Sequence, residues 1–543
     1  MEREKCYRYF SMEQNSTNSD LPDVHWADHA ANALIEKHPD KETLVCASGI
    51  SPSGVVHIGN FREVITVDFV VRALRNKNRK VRFIYSWDDY DALRKVPANL
   101  PNPDLIEKNL RRPLALIPDP FETESSYARH FEKRFEAEIA QLGIQPHFIY
   151  QNEQYRSCLY KDGIQHALKN QKAIANILNR SRTESLPENW SCLSVFCKDC
   201  GKDTTEVLSF EVPSNVTYSC KSCKKTSSIN FEKEAGVKLL WRVDWPMRWA
   251  HEQVDFEPGG KDHSSQGGSY DTGCEIIREI WKKEPPFYVQ YDFVLAKGIG
   301  SKLSSSSGNL ITLSEALEIY EPAIVRYLFA SRKPNLDFSI AFDLDVMKAY
   351  DDFDRCERIA LGVEKAEDKK VNYEKRIFEF SRIETTPIPE KMPNQFPFRH
   401  LCNILQIQEG DIEKTKAFYK AQIQTPLEEQ RFHSRAARAW KWITEYAPIE
   451  FKFTLQSNPS VKTQFPKAMA ELIQVLKEGT HAGSEEVLAN KTWEIMKAHG
   501  IEGKAFFKDI YQILVAKPNG PKLAAFLLAI GRERAAGILE KAL

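Results

Sequence analysis

Net charge is the first thing the sequence lacks: 543 residues carry 75 Lys and Arg against 75 Asp and Glu. A partner held by bulk positive charge is thereby excluded, and any polyanion must be met by local clusters. Nor does any apolar run approach the ~18 residues that cross a bilayer. The opening MEREKCYRYFSMEQNSTNSD has no apolar stretch of secretory type and places acidic residues early, unlike a mitochondrial leader. No repeat of fixed period is present, and no G-x-x-x-x-G-K-[ST] phosphate loop. These absences predict a soluble cytoplasmic protein without a membrane partner. What is present is an ordinary globular composition, 42% apolar and 28% charged, on a chain long enough for two to four domains. Eleven cysteines without a leader fit a reducing compartment.

The front of the chain alternates strand and helix signals. TLVCAS (43–48), KVRFIYSW (80–87) and HFIYQ (147–151) read as strands, as do KLLWRVDW (238–245) and VDFEPGG (254–260). Residues 60–75 and SYARHFEKRFEAEIAQLG read as helices between them. Strands separated by helices predict a Rossmann-like parallel sheet with helices on its faces. After about residue 345 strand signals fade, and DVMKAYDDFDRCERIALG, EEQRFHSRAARAWKWITEYA and KTWEIMKAHG predict an all-α region. Four prolines between 387 and 397 mark a break within it. The predicted organisation is a first half-sheet (1–100), an insertion (101–235), a second half-sheet (236–345) and a helical region (346–543).

Between the first strand and the first helix lies SPSGVVHIGN, residues 51–60. Free N–H groups at a helix start attract an anion, and small residues let a phosphate approach. His57 stands at the entrance and can hydrogen-bond a phosphate oxygen. Far downstream, KGIGSKLSSSSGNL (297–310) sets Lys297 and Lys302 beside a Gly- and Ser-rich segment that can carry an ammonium onto a polyphosphate. Taken singly, the first stretch is more often a plain connection and the second a solvated loop.

Cys197-x-x-Cys200 and Cys220-x-x-Cys223 are separated by a segment that reads as a hairpin. Two C-x₂-C knuckles at this spacing supply four thiolates to a tetrahedral zinc, the pattern of a zinc ribbon at about 190–230. No open ligand position is indicated, so the zinc is structural; two reduced thiol pairs of a former site, or a redox pair, are the alternatives.

Five stretches together resemble one family. SGISPSGVVHIGNFREV, DDYDALRKVP (88–97), DWPMRW (244–249), FEPGGKDHSSQGGSYD (256–271) and KLSSSSG (302–308) look like class I lysyl-tRNA synthetases, a branch of the class I aminoacyl-tRNA synthetases. The resemblance implies a lysine–tRNA ligase that uses ATP with Mg²⁺, forms lysyl-adenylate and transfers the lysyl group to the 3′ end of tRNA(Lys). It implies a monomer whose zinc-bearing insertion approaches the acceptor stem and whose helical back third reads the anticodon. His57, Asn60 and Lys302 become the catalytic candidates. Ser51, Gly54, Gly59, Gly260, Asp262, Ser304 and Ser305 join them around ATP, with Asp262 on the ribose. The family pattern K-M-S-S-S-K-G is matched except that Leu303 and Ser307 replace its methionine and second lysine.

Lysine selectivity requires carboxylates or aromatic walls for an ammonium. The candidates are Gly49, Ser51, Asp88, Asp244, Trp241, His263 and Tyr291, with Asp89, Asp91 and Trp245 alongside; caps, turns and core packing are the competing roles. RFHSRAARAWKWITEYA (431–447) joins Arg431, Arg435, Arg438 and Lys441 to Trp440 and Trp442, which suits splayed bases or, equally, an ordinary core-facing helix. Two alternatives stay open: a class I synthetase for glutamate, which needs an arginine at the pocket base, and a weakly active tRNA-binding derivative.

Overall fold

The computed structural model describes residues 25–97, 100–298, 311–383, 391–478 and 484–543. A parallel sheet forms its centre. β1 (Thr43–Ile50) pairs along its length with β2 (Lys80–Trp87), and β2 pairs with β3 (His147–Tyr150). On the other side of β1, Cys46 bridges to Phe256, and Phe256 to Phe287, both parallel. The Cys46, Val45 and Ala47 segment is buried, as its unbroken apolar run requires of a strand covered on both faces.

The antiparallel strands β4 (Leu193–Val195) and β8 (Val237–Leu239) enclose a three-stranded ribbon, β5 (Thr205–Glu211), β6 (Asn215–Cys220) and β7 (Thr226–Asn230). Beyond it the parallel pattern resumes with β9 (Gly259–Gly260) beside β10 (Gln290–Tyr291), and β11 (Val294–Lys297) beside β12 (Phe338–Ala341). Because β3 pairs with β2, the front half of the sheet runs past residue 100, through Tyr150.

The segment 238–245, expected as a strand, is one only to Leu239; Trp241–Glu252 is a helix. Bulky β-formers mislead there, because Trp241, Trp245 and Trp249 recur every four residues and form one helical stripe. Of 254–260 only Gly259 and Gly260 form a named strand.

The helical back third divides by packing. Phe353, Phe398, Phe432 and Trp442 share one continuous core with Val64 and Phe83 of the sheet domain. Residues from Leu455 to Ala542 build a second core of their own, entered from before by Ile404 and Ile407. The change in sequence character near 345 marks the end of strands, while the second core begins about a hundred residues later.

Candidate active site at the sheet edge

The helix Ile58–Asn76 starts in the predicted turn. His57 is its N-cap: Nδ1 accepts from the Gly59 N–H at 3.1 Å, and Asn60 Oδ1 accepts from the His57 N–H at 3.1 Å. His57 and Asn60 thus satisfy each other's helix end as a capping box. A Cβ on Gly59 would lie 2.8 Å from the imidazole, so glycine is what lets the ring fold back. Burial lowers the His57 pKa, favouring a neutral imidazole. Nothing lies within 4 Å of a Cβ at Gly54, which leaves that side of the turn open.

Both flanks of the second predicted phosphate loop reach this helix start. The Ile58 N–H donates to the Ile311 carbonyl, and His57 bridges Thr312 in antiparallel fashion. One turn on, the Arg62 guanidinium donates to the carbonyls of Asp292, Phe293, Lys333 and Leu336. Lys302, Ser304, Ser305 and Ser307 lie outside the described residues. Lys297 is held away by ion pairs with Asp345 and Asp343.

A pocket opens at the C-terminal edge of the strands, where ligands of open parallel sheets bind. Of the predicted residues, Gly49, Asp88, Trp241, Trp245 and His263 line it. Trp241 stacks on Trp245 at 5.2 Å, and His263 Nδ1 is 2.7 Å from Ser269 Oγ. Tyr291 acts from beside it, donating to Glu63 Oε2 at 2.7 Å. Asp262 stays largely exposed next to Gly260, where a Cβ would meet its carboxylate at 2.5 Å. Ser51 is half-buried in the turn.

Other predicted carboxylates stand elsewhere. Asp244, fully buried, is outside the pocket lining; it accepts from the Tyr155 hydroxyl and lies 3.4 Å from Arg248 and 3.5 Å from Lys238. Asp89 accepts from the Asn152 N–H, and Asp91 pairs with Lys238 at 2.5 Å.

Sequence reasoning missed the acidic residues that matter most to the pocket's charge. Glu63 accepts from the Gly49 N–H at 2.9 Å and from Tyr291, with no cation on it among the described residues. Burial pushes its carboxyl up to about 8. Glu257 accepts from the indole N–H of Trp245 at 3.0 Å and of Trp249 at 2.6 Å, and burial raises it to about 7. The pocket's arginine, Arg248, is engaged: it holds Asp88 at 2.7 and 3.4 Å, donates to Ser86, and lies 5.4 Å from the Trp241 ring centre. Glu252 is paired with Arg82. The signal for Glu63 was its place on the helix, two turns from His57 and facing β1.

In the ribbon, the four sulfurs of Cys197, Cys200, Cys220 and Cys223 lie within 4.8 Å of one another. The Cys197–Cys223 and Cys200–Cys220 separations are both 3.6 Å. A tetrahedron of ~2.3 Å zinc–sulfur bonds has edges of about 3.8 Å, so the cluster fits that ion. The knuckles are twins: Gly201 N–H donates to Cys197 O, Lys224 N–H to Cys220 O, each with positive φ.

The segment 431–447, expected to meet the anticodon, lies mostly in the helix Pro426–Glu445, and several of its named side chains are committed to packing. Arg435 is buried, with both amino groups 2.8 Å from Asp354; Arg431 pairs with Glu357; Arg438 donates to the carbonyls of Leu317 and Tyr320. Trp442 is fully buried and donates to Phe342 O, while Trp440 packs over Gly410. Arg431 and Arg435 thus face acidic partners in the interior, while Lys441 pairs with Glu318 and Glu445 nearer the surface.

Comparison with known proteins agrees with this arrangement. The family described as tRNA synthetases class I (K) matches residues 24–384. A lysine–tRNA ligase of Borreliella burgdorferi is 44% identical over 95% of this chain and 99% of its own. One from Treponema pallidum is 42% identical over 94% of this chain and 97% of its own, and one from Thermococcus kodakarensis is 39% identical over 94% and 98%. Among the described residues no helix is long and apolar enough to cross a membrane. With a family match spanning the whole sheet domain and relatives aligned over nearly the full length, the chain belongs to the tRNA synthetases class I (K).

Proposed function

We infer that the protein is a lysine–tRNA ligase. The observation that carries this reading is the charge of the pocket. Among the described residues Glu63 and Glu257 have no cation on them, while the lining arginine, Arg248, is held by Asp88. A buried carboxylate pair lacking its counter-charge is a receptor for an ammonium, and the Trp241–Trp245 stack supplies a wall for the aliphatic stem. A glutamate side chain would meet Glu63 and Glu257 with the lining arginine already held by Asp88, so the glutamate alternative loses support.

In the first step a lysine carboxylate oxygen bonds to the α-phosphorus of ATP, which enters with Mg²⁺, and the bond to the β-phosphate oxygen breaks. Pyrophosphate leaves and lysyl-adenylate remains. In the second, a hydroxyl of the tRNA terminal ribose attacks the lysyl carbonyl and AMP departs. The chain's contribution is positioning and charge stabilisation. Neutral His57 donates from Nε2 to a phosphate oxygen, because Nδ1 is occupied as acceptor by Gly59. Asn60 offers its amide N–H₂, since its oxygen caps His57. Exposed Asp262 accepts from the ribose hydroxyls. Lys302, with Ser304 and Ser305, is assigned to the leaving pyrophosphate on the family resemblance. The four ribbon thiolates would hold a structural zinc, which would add a cross-link to knuckles that already share the core of Val216, Tyr218 and Ile229.

The test is pyrophosphate exchange with each of the twenty amino acids in the presence of tRNA. Only lysine should stimulate it. Exchange driven by glutamate, or by none, would refute the assignment.

A further inference from the structure

With Arg431, Arg435 and Trp442 of the helix Pro426–Glu445 committed to packing, another exposed aromatic becomes the stronger candidate to face RNA. Trp493, in the helix Glu485–Ala498, is 58% exposed, although tryptophan is usually among the more buried residues. Its indole meets Phe507 edge-on at 6.1 Å and lies beside Gly503, where an added Cβ would come within 3.2 Å of the ring. The indole therefore bridges this helix and the next, Gly503–Val515, with its outer surface bare. Lys497 stands one turn beyond Trp493, and Lys504 and Lys508 flank Phe507 at helical spacing; all three are exposed. None has an ion-pair partner among the described residues, whereas nearby Glu494 is already bound to Lys491 at 2.7 Å. Unpaired ammonium groups around an open aromatic face complement one ligand chemistry: a phosphate-linked base.

We propose that Trp493 is a stacking platform for an unpaired base of the tRNA substrate, with Lys497, Lys504 and Lys508 on the adjoining phosphates. This rests on the ligase reading, and its failure would look different from failure of that reading. The probes are a full-length lysine tRNA transcript and a minihelix holding only its acceptor stem. A stacked base is lost as about a 5- to 100-fold rise in Kd. Trp493→Ala should weaken the full tRNA by that factor and erase a similar share of its KM advantage over the minihelix. Trp493→Phe should keep most of it, and an unchanged thermal melt would exclude misfolding. Lys504→Glu with Lys508→Glu should weaken the full tRNA and lower the salt slope by about 2. A Kd for Trp493→Ala within twofold of wild type, or equal weakening of tRNA and minihelix, overturns the proposal while leaving lysylation itself intact. Failure of the ligase reading would instead appear as no lysylation by the wild-type chain.

Discussion

The Ile58 N–H donates to the carbonyl of Ile311 at 2.6 Å. This bond ties the start of the phosphate-binding helix to the far end of the downstream lysine loop, and Arg62 ties the near end through the carbonyls of Asp292 and Phe293. Both anchor points of the loop are therefore referenced to one helix. Arg62→Met should free the near anchor without touching the amino-acid pocket. The expected result is a 10- to 100-fold fall in pyrophosphate exchange, the order that follows from misplacing a reacting group by about 1 Å. Lysine affinity measured by calorimetry should stay within about threefold. Equal loss of both would mean that Arg62 supports the fold generally.

His57 has two duties that substitution can separate. As a cap it contributes about 1 kcal/mol, which Asn can supply and Ala cannot. As a phosphate donor it contributes on the order of 3 kcal/mol to the transition state, about 100-fold in rate. His57→Ala should lower both the melting temperature and exchange. His57→Asn should restore the melt but recover little of the rate. Full exchange in the Asn variant would leave His57 only a cap.

Glu63 links lysine binding to pH. Burial holds its folded pKa up at about 8, so the free enzyme keeps a proton that the unfolded chain has lost at its ordinary value near 4.5. The folded state then binds more protons between these values, and the stability of the free protein falls as pH rises from about 4.5 to 8. Bound lysine reverses this, because its ammonium favours the ionised carboxylate. KM for lysine should fall as pH rises from 6 to 8.5, and calorimetry in buffers of different ionisation enthalpy should detect proton release. Glu63→Gln should flatten that profile and raise KM by about 30- to 1,000-fold, the scale for breaking a desolvated charge pair. A pH-independent KM in wild type would refute the linkage.

Much of this was legible from residue order. The first three strands, the His57 turn and the thiol quartet each depend on local spacing, and local spacing is what a sequence displays. The pocket was harder for two reasons. Its tryptophans carry strand-like propensity, and only their four-residue recurrence marks a helix. Its key carboxylates, Glu63 and Glu257, sit in apolar surroundings set by distant elements: Tyr291 for one, two indoles for the other. The reverse error arose at Arg435, whose basic appearance conceals a buried partner 81 positions away, Asp354.

The thiol quartet makes a prediction about the ribbon alone. Purified protein should carry about one zinc per chain, and less than half an equivalent would count against the site. Cys220→Ser should release the ion and speed protease cleavage within 197–223, because the metal adds its link to knuckles otherwise joined by hydrogen bonds such as Lys221 N–H to the Thr204 carbonyl and Lys198 N–H to the Tyr218 hydroxyl. Unchanged protease resistance after complete zinc removal would show that the ribbon holds by packing.

Arg248 decides whether the pocket could read a carboxylate. It spends its charge on Asp88 and sits 3.4 Å from Asp244, both buried. To bind a substrate carboxylate it would have to release Asp88 into an apolar enclosure, which is unfavourable by several kcal/mol. Removing it is costly for the same reason: Arg248→Met leaves Asp88 buried without its cation and Asp244 with Lys238 alone, and should lower stability by about 3–5 kcal/mol. Arg248→Met with Asp88→Asn removes charge from both sides, and should regain part of that loss in a denaturant titration. If the double variant were no more stable than the single one, the pair would be independent, and Arg248 would be free to serve a ligand. If the double variant is the more stable, Arg248 is a structural ion, and selection for lysine lies with Glu63 and Glu257.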